Sequence, residues 1–89
     1  MKPIYVIQKS LEENHRAVYS NFPSSYAVTE EGANEILRDS LPLFERVYPD
    51  LKVLGHDKNR LHITYTDLDT GAHMRAIFSV VKVYNGLVM

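Results

Sequence analysis

The chain has 89 residues, of which 45% are hydrophobic and 24% are charged, so it is long enough for one folded core and unlike a disordered chain or a coiled coil. Ten Lys and Arg residues nearly balance eleven Asp and Glu residues, so net charge gives no general reason to expect a nucleic-acid or acidic-membrane partner. The absence of cysteine excludes disulfides, a thiolate nucleophile and cysteine-based metal sites.

The first 28 residues can be interpreted in two ways. Residues 4–8 are rich in β-forming side chains. Segment 10–22 is either a helix that begins with a Ser10–Glu13 capping box or, after a turn at residues 12–14, a second strand. We favour the strand, and therefore a hairpin, because this segment carries side chains that suit a strand: Val18, Tyr19 and Phe22.

A helix is the clearest predicted element. Thr29 is a suitable N-cap, and two glutamates follow it in the first turn. Pro42 removes a backbone hydrogen bond from the middle of the helix, so we expect a kink or a break there, with Ser40 as a cap for the second piece. Pro49 ends the helix. Apolar residues recur at helical spacing along it: Ala33, Ile36, Leu37, Leu41, Phe44, Val47 and Tyr48.

Three strands are predicted after the helix, at residues 51–55, 60–66 and 72–84. Their register follows from placing apolar residues opposite each other. A four-residue loop at 68–71 gives the pairs Tyr65–Met74, Ile63–Ala76 and Leu61–Phe78, and a three-residue loop ending at Asn59 gives the pairs Val53–Ile63 and Leu51–Tyr65. The predicted fold is α+β: an antiparallel four- to five-stranded sheet packed on one Pro-kinked helix, in the order ββαβββ. If segment 10–22 is an extra N-terminal helix, the order is instead βαβ(ββ).

The last strand has apolar side chains on both sides, whereas one helix covers only one face of a sheet. Either the second face stays exposed, or the sheet coils around the helix, or the apolar tail 86–89 folds back over it. Exposed apolar patches tend to mark partner sites. The candidate partner-binding residues are Arg60, His62, Arg75, Ile77, Val81 and Val83.

The spacing of residues in the sequence gives little support for a catalytic or metal site. In the predicted register His62 and His73 are roughly 13 Å apart, which is too far for both to bind one zinc ion. Residues 63–71 resemble the DxDx(T/V) nucleophile motif of haloacid-dehalogenase-like phosphatases, but Thr70 and Gly71 stand in reversed order and no parallel sheet follows. A turn closed by Gly71 explains these residues, so we expect no metal, no cofactor and no enzyme.

The favoured function is a non-catalytic, small protein-binding domain of residues 1–89, an inhibitor or regulator of a larger protein or complex. Proteins of this size class include phage and mobile-element accessory proteins, and the lack of cysteine and of a long apolar segment favours the cytoplasm. Two alternatives are a nucleic-acid-binding protein that uses Arg60, Arg75 and Lys82, and a small hydrolase or nuclease that uses histidine. A homodimer joined through the edge or outer face of the last strand is a further expectation.

Overall fold

The computed structural model describes residues 2–84, which form a five-stranded antiparallel sheet with one helix on one side. The strands lie in the order β2-β1-β5-β4-β3, and β1 pairs with the central strand β5 along nearly its whole length. This confirms the predicted α+β class and the order ββαβββ. The elements are β1 (Pro3–Glu13), β2 (Arg16–Ala27), α1 (Glu30–Val47), β3 (Lys52–Asp57), β4 (Arg60–Thr66) and β5 (His73–Tyr84).

Segment 10–22 belongs to a hairpin, as the strand interpretation predicts. Its turn is Asn14-His15 rather than residues 12–14, and both residues have positive φ, 49° and 68°. Asn adopts this left-handed backbone at low cost, which explains why the turn forms there. The turn is tied to β5, because the Asn14 amide donates to the His73 carbonyl at 2.8 Å and its side-chain oxygen accepts from the His73 amide at 2.9 Å.

The helix α1 begins as predicted, since the hydroxyl oxygen of Thr29 accepts a hydrogen bond from the Gly32 amide at 2.9 Å. It then runs without a break through Pro42, so the expected second helical piece does not exist. Pro42 and Arg38 are both exposed, so water can bind the Arg38 carbonyl that has lost its partner. Ser40 does not act as a cap; its hydroxyl donates to the Ile36 carbonyl at 2.7 Å inside the helix.

The predicted register of β4 and β5 is confirmed at all three pairs. The pair Val53–Ile63 is also confirmed, but the turn before it is tighter than predicted, with Asp57 opposite Arg60 and a bulge at Leu54. Leu51 forms no ladder pair with Tyr65, because it lies before β3 and its amide donates to the Tyr48 carbonyl at 3.1 Å. The core between the sheet and α1 consists of Ile7, Ala33, Leu37, Leu61, Ile63, Tyr65, Ala72, Met74, Ala76 and Phe78.

Two polar clusters hold the helix ends to the sheet. Near the start of α1, Asn34 and Asn59 exchange two hydrogen bonds of 2.7 Å. Near its end, the Asp50 carboxylate accepts from both the amide and the hydroxyl of Thr66, and these bonds lower the pKa of Asp50. No helix within residues 2–84 is long and apolar enough to cross a membrane.

Candidate functional site

The face of the sheet opposite α1, called the outer face below, contains all six candidate partner-binding residues. On β5 the even-numbered residues from Met74 to Phe78 are buried against the helix, and the odd-numbered residues point the other way. Ile77, Val81 and Val83 are half-buried there by their neighbours within the sheet. In the described part of the chain, no helix or strand packs over them, and the tail 86–89 lies outside that part.

An apolar strip runs along one end of the outer face. Val6 lies opposite Val81, and Ile4 lies opposite Val83, so the first strand adds two apolar side chains to the three that β5 presents. The sequence alone left the orientation of residues 4–8 open, because their side chains do not alternate in polarity. The pairing of β1 with β5 determines this orientation. We call the five apolar residues the apolar strip: Ile4, Val6, Val81 and Val83 are direct neighbours, and Ile77 lies beyond Ser79 on β5.

A basic area adjoins this strip and consists of Arg60, His62 and Arg75. His62 lies opposite Ile77 in the ladder, and the Arg75 Nε donates a hydrogen bond to the His62 Nε2 at 2.7 Å. This bond requires a neutral imidazole whose proton is on Nδ1. Burial lowers the pKa of His62, and the positive charges of Arg75 and Arg60 lower it further.

Glu12 is the one carboxylate on the outer face of the three central strands β1, β5 and β4. It lies opposite Arg75 on β1, with its Oε1 4.0 Å from the arginine Nη1, and both side chains are partly exposed. Such a contact neutralises little of the arginine charge. Arg60 is exposed and forms no ion pair with any residue in the described range. The outer face of these strands is thus basic, although the chain as a whole is not.

Lys82 does not belong to this basic area. It lies on the helix side of β5, where its ammonium is 5.3 Å from the centre of the Tyr84 ring. The nucleic-acid interpretation needs Arg60, Arg75 and Lys82 on one surface, and the structure separates Lys82 from the two arginines by the thickness of the sheet. Tyr5 and Tyr65 also point to the helix side, away from the two arginines.

Several of the histidine and aspartate residues considered for catalysis take part in local contacts. The Asp67 Oδ1 accepts from the amides of Asp69 and Thr70 at 2.8 and 3.0 Å, which closes the turn before β5 and lowers the pKa of Asp67. The rings of His15 and His73 lie 5.6 Å apart at one end of the sheet. Among the described residues, no three His, Asp or Glu side chains are grouped closely enough to hold a metal ion.

A groove of about 520 Å³ lies between the first half of α1 and the β3–β4 turn. Glu30 spans it by an ion pair of 2.8 Å with Lys58, and this contact lowers the pKa of Glu30. The Asn34–Asn59 hydrogen bonds lie beside it. Among its lining residues, Glu30 and Lys58 pair with each other and Asn34 pairs with Asn59. The other five form no side-chain hydrogen bond or ion pair within residues 2–84: Glu31, Glu35, Arg38, His56 and Asp57. The groove is thus lined by polar side chains where the helix meets the β3–β4 turn.

Comparison of the chain with models of known protein families, with curated proteins and with solved structures found no match. The function must therefore be inferred from the surfaces themselves. On the outer face, an apolar strip that no other element within residues 2–84 covers adjoins arginine charges that are left largely unpaired.

Proposed function

We propose that the chain is a non-catalytic protein-binding domain that regulates a larger protein or complex by docking its outer face on it. One observation carries the proposal: the apolar strip and the basic area adjoin each other on a sheet face that no other described element covers. A partner surface with carboxylates beside apolar side chains would complement both parts. The lack of cysteine is consistent with action in the cytoplasm.

The size of the apolar strip suits a regulated contact better than a permanent one. Its five partly buried aliphatic side chains together expose at most about 300 Å², no more than about a third of the roughly 800 Å² that each partner buries in a standard interface. The remaining area has to come from the polar part of the face. Arg60 and Arg75 would then contribute to partner choice and to the rate of association.

The test is quantitative affinity capture from cells with tagged protein and two matched pairs of variants. Val81→Asp places a charge in the apolar strip, and Leu68→Asp places the same charge on an exposed turn away from it. Arg75→Glu reverses a charge in the basic area, and Arg38→Glu makes the same change on the exposed side of α1.

We expect at least one protein that the parent and both control variants capture to be lost with Val81→Asp and Arg75→Glu. Recovery of every captured protein by all four variants at the level of the parent would refute the proposal. If nuclease treatment releases the captured proteins, and retention of the chain on heparin falls steeply with salt, the basic area binds nucleic acid instead.

A further inference from the structure

A second apolar surface that no element within residues 2–84 covers lies on the helix side of the sheet, beyond the flank of α1. The β1–β2 hairpin extends past the helix there, and its inner face carries Tyr19 and Phe22, whose ring centres are 5.5 Å apart. Phe22 is 59% exposed. The sequence pattern places Tyr19 and Phe22 on a strand but does not indicate this surface, because their position beside α1 is a tertiary property.

The floor of this surface continues from the core. Phe44 of α1 packs on Phe78 of β5 at 5.8 Å between ring centres, and the Lys9 ammonium of β1 lies 5.4 Å from the same Phe78 ring. Phe22 lies opposite Lys9 in the ladder, and Tyr19 lies opposite the partly buried Leu11. A row of three side chains thus runs from beneath the helix to the edge of the sheet: Phe78, Lys9 and Phe22.

A ridge on α1 borders this floor. Glu30 and Asn34 contact the β3–β4 turn, which fixes the flank of α1 that faces β3 and β4. At 100° per residue, Leu43 and Val47 lie on the other flank, above the hairpin. They are 59% and 50% exposed, and Val47 belongs to the apolar stripe of the helix. We call the ridge and the floor together the hairpin shelf: Lys9, Leu11, Tyr19, Phe22, Leu43 and Val47.

We propose that a second copy of this chain docks on the hairpin shelf and forms a two-fold symmetric dimer. A ridge beside a floor is self-complementary: the ridge of each copy can pack on the floor of the other, as a two-fold interface requires. The shelf exposes on the order of 400 Å² of apolar surface, most of the roughly 500 Å² that a homodimer interface of standard size contains on each side. The net charge of −1 adds little repulsion between copies.

This dimer is independent of the proposed function, because the hairpin shelf and the outer face lie on opposite sides of the sheet. Dimerisation would leave both outer faces free and present two of them to a partner. Two sites on one particle raise the apparent affinity for a partner that itself has repeated sites.

Light scattering after size exclusion tests the proposal over a range of micromolar concentrations. We expect the parent to approach twice its 10.2 kDa mass, and Phe22→Asp and Leu43→Asp to remain near 10.2 kDa. Val81→Asp on the outer face should still dimerise. A parent that stays at 10.2 kDa at every concentration, or a dimer that Val81→Asp abolishes and Phe22→Asp does not, would overturn the proposal.

Cross-linking gives a second test that needs no destabilising charge. Since the chain has no cysteine, separately tagged Phe22→Cys and Leu43→Cys proteins can form a mixed disulfide between copies without competition from native thiols. Formation of that disulfide on mild oxidation is expected, with Leu68→Cys as the control for random collision. If the mixed disulfide forms no faster than the disulfide with the control, the two shelves are not in contact.

Discussion

Truncation to alanine at two adjacent residues of β5 should cost very different amounts of stability. Phe78 is 7% exposed and packs against Phe44, so Phe78→Ala should lower the free energy of unfolding by about 3–5 kcal/mol. Ile77 is half-buried on the outer face, and Ile77→Ala removes three partly covered carbons, which is worth about 1–1.5 kcal/mol at ~0.8 kcal/mol for each fully buried methylene. A chain of this length has a free energy of unfolding of about 4–13 kcal/mol, so Phe78→Ala alone removes a large part of it.

The assay is thermal and urea unfolding followed by circular dichroism, with partner capture measured on the same samples. Ile77→Ala should lower the Tm by about 5–10 °C and weaken capture tenfold or more, whereas Phe78→Ala should lower the Tm much further. Equal losses of stability in the two variants would show that the outer face is covered by the chain's own atoms. That result would remove the physical basis for docking on this face.

The remaining predictions concern pH and the polar clusters. Because the pKa of His62 in the folded chain lies below its ordinary value of 6.5, the unfolded chain binds a proton that the folded chain does not, and stability falls as the pH drops below about 6.5. His62→Asn should reduce the loss of Tm over that range, and an unchanged loss would contradict the assignment. The bonds from Thr66 lower the pKa of Asp50, so they stabilise the folded chain at a pH above the ordinary pKa of 3.8, and this stabilisation is lost in acid. Thr66→Val should therefore lower the Tm at neutral pH and reduce the further fall in Tm as the pH drops. Asn34→Ala should cost about 2 kcal/mol in urea unfolding, and Asn59→Ala about 1 kcal/mol more, since φ at Asn59 is 68°. Asn59→Gly should lack that extra cost. Because Asn34 and Asn59 hydrogen-bond each other, the costs of Asn34→Ala and Asn59→Ala should not add fully in the double variant, and full additivity would refute this coupling.

The register of β4 and β5 could be predicted because it depends on local information. A short turn fixes the offset, and a shift by one residue would place Arg75 opposite Tyr65 on the buried face. The same logic assigned Ile77, Val81 and Val83 to the side away from the helix. Thr29 was predictable for a similar reason, since its capping bond is made within three residues.

Other features depend on partners that are distant in the chain. The orientation of Ile4 and Val6 follows from pairing with Val81 and Val83, about 75 residues later, which no local pattern reveals. The hairpin turn at Asn14 is stabilised by hydrogen bonds to His73, and the tight turn at Asn59 by hydrogen bonds to Asn34.

Pro42 shows the limit of propensity arguments. In an isolated helix it would favour a break, but the residues on both sides of it pack on the same core, so the helix continues. The hairpin shelf was missed for the related reason that its members come from three elements whose relative position is a tertiary property.

Docking through the outer face is tested most directly by comparing Val81→Asp with Leu68→Asp in affinity capture, once circular dichroism shows that both are folded. The proposal predicts that a protein captured by the parent is retained with Leu68→Asp and lost with Val81→Asp. Equal recovery of every captured protein with the two variants would contradict it.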